Sequence, residues 1–140
     1  MPEKLSPYCQ SRRLAVRDAL DVIGGKWKLV ILTELLERKR RFKELSRDIG
    51  ISPNILAKEL HELGINKLIT RTVCDTRPIT VEYAVTEHSR TLVNVVEALT
   101  EWGYRHHEAV VGKKRFADPA VAILAPPSNL QENAQLGITT

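Results

Sequence analysis

The sequence predicts a mostly helical fold carrying one small β-hairpin, and three observations support that expectation. Apolar residues recur at helical spacing in several successive stretches of the chain. Gly50, followed by Ser52-Pro53, separates two of these stretches with a turn and a fresh helix start. Farther on, period-two alternation on both sides of Asp75-Thr76-Arg77-Pro78 marks a pair of strands.

A chain of 140 residues has room for one domain with a real core, and 43% hydrophobic against 27% charged residues is an ordinary globular balance. No apolar run approaches the roughly 20 residues that a membrane span needs. The opening Met1-Pro2-Glu3-Lys4 leads into polar residues and not into a secretory apolar stretch, so a cytoplasmic protein is expected. Residues 1–10, aperiodic and with two prolines, read as a flexible arm. Residues 11–112 read as the folded domain, and 113–140, with Pro119, Pro126 and Pro127, as a disordered tail.

Within the domain, Val16, Ala19, Leu20 and Ile23 follow at i, i+3, i+4 and i+7, a helical face that Gly24-Gly25 ends. Residues 26–37 form a second helix, apolar nearly all round, which belongs at the centre of a core. Trp27 on its stripe reads as a packing anchor. Phe42, Leu45 and Ile49 give a helix of about two turns that stops at Gly50, a residue suited to positive φ. Ser52 then caps a helix whose first residue is Pro53 and whose inner face holds Leu56, Leu60 and Leu63. Two short helices joined by such a turn form a helix-turn-helix. Ile69, Arg71 and Val73, then Val81, Tyr83 and Val85, supply the alternation of a hairpin, which directly after that unit is a wing. Thr86 reads as the N-cap of one long final helix with Leu92, Val95, Val96, Leu99 and Trp102 along its stripe. With no second domain to cover it, that stripe suggests a dimer.

The outer face of the helix after Ser52 carries Asn54, Ala57, Lys58 and His61. Small, polar and basic side chains there suit a helix lying in the major groove of double-stranded DNA. The net charge is +4, and residues 38–47 hold Arg38, Lys39, Arg40, Arg41, Lys43 and Arg47 against the acid Glu44. The expected division of labour gives Ser52, Pro53, Asn54, Lys58 and His61 to the groove. Arg40, Arg41 and Lys43 hold phosphates, and Arg71 and Arg77 act from the wing. A winged-helix module that binds a protein instead of DNA would show apolar residues on the outer face, where Ile55 is the one hint. Gly24-Gly25-Lys26 lacks the preceding strand and full spacing of a phosphate loop, and the four histidines pair with no nucleophile. Neither an enzyme nor a cofactor is expected. Cys9 and Cys74 belong to no metal-binding spacing, so no metal site is expected either.

In order along the chain, 19–28 (Ala-Leu-Asp-Val-Ile-Gly-Gly-Lys-Trp-Lys), Arg41-Phe42-Lys43-Glu44-Leu45, Gly50-Ile51-Ser52-Pro53, Val81-Glu82-Tyr83 and Glu101-Trp102-Gly103 resemble the HxlR-type regulators, a branch of the MarR-like winged-helix proteins. The resemblance implies a homodimer joined by its N- and C-terminal helices, binding to a palindromic operator, and repression or activation of a nearby gene. It also implies, for some members, a response to oxidants or electrophiles through an N-terminal cysteine. Here the family's cysteine position holds Leu14, and Cys9, near Arg12 and Arg13, is the candidate sensor. Two further departures are Ser89 in place of a common glycine, a change expected to be neutral, and Gly64 in place of a helix former, expected to fray or shorten the recognition helix.

Overall fold

The computed structural model describes residues 6–112. Five α-helices and three strands follow in the order α1 (Pro7–Ile23), α2 (Lys28–Glu37), β1 (Arg40–Arg41), α3 (Phe42–Ile49), α4 (Pro53–Ile65), β2 (Ile69–Cys74), β3 (Thr80–Val85) and α5 (Val93–Val111). A 3-10 turn, His88–Leu92, leads into α5. The chain separates into two compact units divided between Val96 and Glu97.

In the first unit the core is built from α2, α3, α4 and the sheet. Ile31, Leu32 and Leu35 of α2, Leu45 of α3, and Leu56, Leu60 and Leu63 of α4 are buried together with Ile51, Leu68, Ile69 and Tyr83. Each such leucine or isoleucine contributes about 1.5–3 kcal/mol on leaving water. Trp27 packs partly buried against this cluster, as its stripe position predicts, with the Lys26 ammonium 4.7 Å from its ring centre.

The turn between α3 and α4 is built as its residues dictate. Gly50 takes φ 75°, a left-handed conformation in which its N–H returns to the Ser46 carbonyl. The Ser52 hydroxyl accepts the Ile55 N–H and Pro53 stands first in the helix. Gly64 does not shorten α4, which runs on to Ile65 before Asn66 caps it.

The hairpin forms where the alternation placed it, with Arg71 opposite Tyr83 and Val73 opposite Val81. It gains a third strand that the sequence did not announce. Arg40 and Arg41 pair with Tyr83 and Glu82, giving the order β1-β3-β2. Two residues are too few to show an alternation.

Two expectations need correcting. The flexible arm expected over residues 1–10 is helical from Pro7 onward, because Ser6-Pro7 repeats the start signal of Ser52-Pro53 and the Ser6 hydroxyl accepts the Cys9 N–H. The single final helix is divided, with Thr86 capping the 3-10 turn by accepting the Ser89 N–H before α5 starts at Val93. The tail expected over 113–140 lies outside the described residues.

Ser89 is also more than a neutral replacement for glycine. It is fully buried, and its hydroxyl donates to the Leu68 carbonyl. Thr86 donates to the Lys67 carbonyl at 2.8 Å, so both hydroxyls tie the end of β3 to the turn after α4.

Candidate nucleic-acid interface

The ion pairs divide the basic run at 38–47 into two classes. Arg38 pairs with Glu44 at 3.2 Å, Lys39 with Glu82 at 3.3 Å and Arg47 with Asp48 at 3.1 Å. Arg40 is buried, and its guanidinium is held by Asp48 at 2.7 Å, Glu34 at 3.0 Å and Glu37 at 3.4 Å. Arg40 is therefore corrected from a phosphate contact to an internal strut joining α2, β1 and α3. The cause is strand geometry: alternate residues of β1 face opposite sides, which turns Arg40 inward and Arg41 outward. Arg41 and Lys43 are exposed and, among the described residues, make no ion pair.

On α4, Asn54, Lys58 and His61 stand at i, i+4 and i+7, one face of the helix, and all three are exposed. Ser52 and Pro53 are exposed at its leading end. At the α4 N-terminus Pro53 has no N–H and the Ile55 and Leu56 N–H groups go to Ser52, which leaves the Asn54 N–H to face a phosphate. Arg71 lies in β2 and Arg77 in the loop between β2 and β3; both are exposed, and neither joins an ion pair among the described residues.

What positions α4 was not read from the sequence. The Lys28 ammonium, from the first turn of α2, reaches two carboxylates of α4, Glu59 at 2.7 Å and Glu62 at 2.6 Å. Hydrogen bonding to Glu59, and then to Glu62, raises the Lys28 pKa above its ordinary value. Hydrogen bonding to Lys28 holds the Glu62 carboxyl below the usual range. The clasp fixes α4 to α2 from a flank of the helix, with Glu62 next to Lys58 and His61 of the groove-facing stripe. Glu59 and Glu62 are three residues apart, one turn of helix, and that spacing was the available signal.

Cys9 is exposed in the first turn of α1, not in an arm, and Cys74 closes β2, partly buried; both are free thiols. The Arg12 guanidinium lies 4.5 Å from the Tyr8 ring centre. Among the described residues no cluster of His, Cys, Asp or Glu could hold a metal ion, and no helix is long and apolar enough to cross a membrane.

A helix-turn-helix with a sheet wing, and a basic face left unpaired beside it, defines a winged-helix DNA-binding transcriptional regulator. Residues 22–111 match the family model described as HxlR-like helix-turn-helix, and the chain belongs to that family. It is 39% identical over 100 residues to the HTH-type transcriptional regulator YtcD of Bacillus subtilis (strain 168), a match covering 71% of this chain and 79% of that protein. Among solved structures it is similar to the redox regulator HypR in its reduced form, with 35% identity and a TM-score of 0.65 over 71% of this chain and 99% of that one. It is also similar to the reduced form of the transcriptional regulator YodB from B. subtilis, with 27% identity and a TM-score of 0.56 over 83% and 98% of the two chains.

Proposed function

We propose that the chain acts in the cytoplasm as a homodimer, each copy placing α4 in the major groove of one half of a two-fold operator. The observation that carries this reading is the sorting of cations. Lys28 and Arg40, which face inward, are paired with acids, as are the exposed Arg38, Lys39 and Arg47, whereas Arg41, Lys43, Lys58, Arg71 and Arg77 form no ion pair among the described residues. Ser52, Pro53, Asn54, Lys58 and His61 meet base edges and nearby phosphates. Arg41 and Lys43 hold backbone phosphates beside α3, and Arg71 and Arg77 do so from the wing. Dimerisation is inferred from apolar side chains left exposed on two helices: Leu14, Val16 and Leu20 on α1, and Leu99 and Trp102 on α5.

The test is a gel-shift titration on DNA flanking the chain's own gene at several salt concentrations. Binding should weaken with salt at a log–log slope of about −0.9 per phosphate neutralised. Asn54→Ala should cost about 1–3 kcal/mol and relax specificity at one position of the site. Salt-insensitive binding, or none at any neighbouring promoter, would refute the reading.

Cys9 is the proposed sensor. HypR is named as a redox regulator, and Cys9 stands exposed on the helix assigned here to the dimer contact. Oxidation to a sulfenic acid, or to a disulfide with a thiol of the second copy, would change how the two α4 helices are spaced. Diamide should weaken operator binding in the wild type and leave Cys9→Ser unaffected. An equal response in both proteins would remove Cys9 from the mechanism.

A further inference from the structure

Ile55 is 42% exposed in the first turn of α4, next to Asn54 and with its N–H held by the Ser52 hydroxyl. Pro53 and Ala57, also exposed, stand at i and i+4 on the other flank of Asn54. The leading turn of the helix thus presents one amide among apolar side chains. In a recognition helix the N-terminal residues are the ones that reach base edges. The side chains that read guanine, Arg or Lys, and the carboxylates that read cytosine are missing from this turn. α4 contains no arginine, and Lys58 stands one turn farther on. Its carboxylates, Glu59 and Glu62, follow Ile55 at i+4 and i+7 and are both taken by Lys28, at 2.7 Å and 2.6 Å. What remains is chemistry for A·T pairs. An Asn amide matches the N6 and N7 of adenine, and an apolar side chain matches the C5-methyl that thymine carries into the major groove.

We propose that the leading turn of α4 specifies an A·T step of the operator, Asn54 pairing with an adenine and Ile55 packing on the C5-methyl of the neighbouring thymine. Ile55 is then a specificity residue, and the inference rests on the DNA-binding reading. An exposed isoleucine would also suit a protein partner. One isoleucine with a proline and an alanine falls far short of the roughly 800 Å² that each side of a stable protein interface buries. It is the right size for a methyl group.

The test selects duplexes from a randomised library with the full chain and measures affinity for the enriched sequence by gel shift. Each thymine is then replaced in turn by deoxyuridine, which removes the methyl and leaves base pairing intact. One thymine, adjacent to an adenine at which Asn54→Ala relaxes specificity, should cost about four-fold in affinity when replaced, as loss of one buried methyl predicts. Ile55→Ala changes an exposed residue to a better helix former, so it should fold. It should bind the thymine and deoxyuridine duplexes equally at that position, the signature of a shared contact in a double-mutant cycle. Ile55→Val keeps a branched apolar surface and should still discriminate. Three results would each overturn the proposal while leaving DNA binding in place: no thymine whose methyl matters, an equal deoxyuridine loss in wild type and Ile55→Ala, or an enriched G·C pair at the position that Asn54→Ala relaxes. An Ile55→Ala protein that binds and discriminates as the wild type does would instead assign Ile55 to a protein contact. A library that enriches no duplex would refute the DNA-binding reading, and the proposal would fall with it.

Discussion

Arg40 and Arg41 are adjacent, identical and equally basic, yet the fold assigns them opposite work. Arg40 is 6% exposed and meets three carboxylates, while Arg41 lies on the outer side of the same two-residue strand. Their pairing with Tyr83 and Glu82 sets which one turns inward. The pair allows a separation of stability from binding. Arg40→Gln strands Glu34 and Asp48 around an empty centre and should cost about 3 kcal/mol of stability, with the salt slope of operator binding unchanged in whatever remains folded. Arg41→Gln should leave the melting temperature alone and reduce that slope by about 0.9. Thermal unfolding and salt-dependent gel shifts on both variants check this, and a lowered slope in a fully stable Arg40→Gln would reverse the assignment. A run of six cations within ten positions was plain in the sequence, but which of them face inward was not, because that depends on a strand two residues long. The acids that neutralise Arg40 come from α2 and α3, one on each side of it in the chain, and composition does not reveal such closure.

At the scale of elements, the parts with a periodic pattern or a local stop signal were legible. Gly50, Ser52-Pro53 and the alternation from Ile69 to Val85 each act within a few residues, so the turn, α4 and the hairpin follow from nearest-neighbour chemistry. The start of α1 was equally legible at Ser6-Pro7 but stood outside the apolar pattern, whose first member is Val16. What holds the elements to one another acts at long sequence range and leaves no local mark. The Lys28 clasp spans 34 residues to Glu62, and the Ser89 hydroxyl reaches Leu68, 21 residues back. The clasp has a pH signature. Glu62 is held below its ordinary value, so its contribution is complete above that value of 4.5 and is lost as pH falls through the lowered one. Lys28 is raised, so its contribution is complete below its ordinary value of 10.5 and is lost only as pH rises through the raised one. The melting temperature of the wild type should therefore exceed that of Lys28→Met by a constant margin through neutral pH. The margin should close as the solution is acidified below the ordinary glutamate value. A margin that persists unchanged into acid would show that Lys28 stabilises by packing its stem and not by its charge.

For the molecule as a whole, the residues left over once the core is closed are the informative ones. The first unit buries α2, α3, α4 and one face of the sheet, but of α1 it buries Ile23 and leaves Leu14, Val16 and Leu20 at 50% exposure or more. In the second unit, Leu99 and Trp102 stand a turn apart on α5, 49% and 62% exposed, with Trp102 stacked on His106 at 4.7 Å. Exposed apolar helix faces of this kind mark contact surfaces, and the homodimer proposed above would cover them. The proposed dimer would also raise operator affinity, since one recognition helix with a few phosphate contacts binds DNA weakly and two linked copies gain by effective concentration. Leu99→Glu puts a carboxylate on the proposed contact and changes nothing in the first unit's core, so the variant should stay folded. Sedimentation velocity should then report a monomer at concentrations where the wild type is a dimer. Affinity for a two-fold operator should fall by about 100-fold or more, while affinity for an isolated half-site stays the same. A variant that sediments as the wild type does, or that loses half-site binding to the same degree, would show that α5 serves the fold and not the assembly.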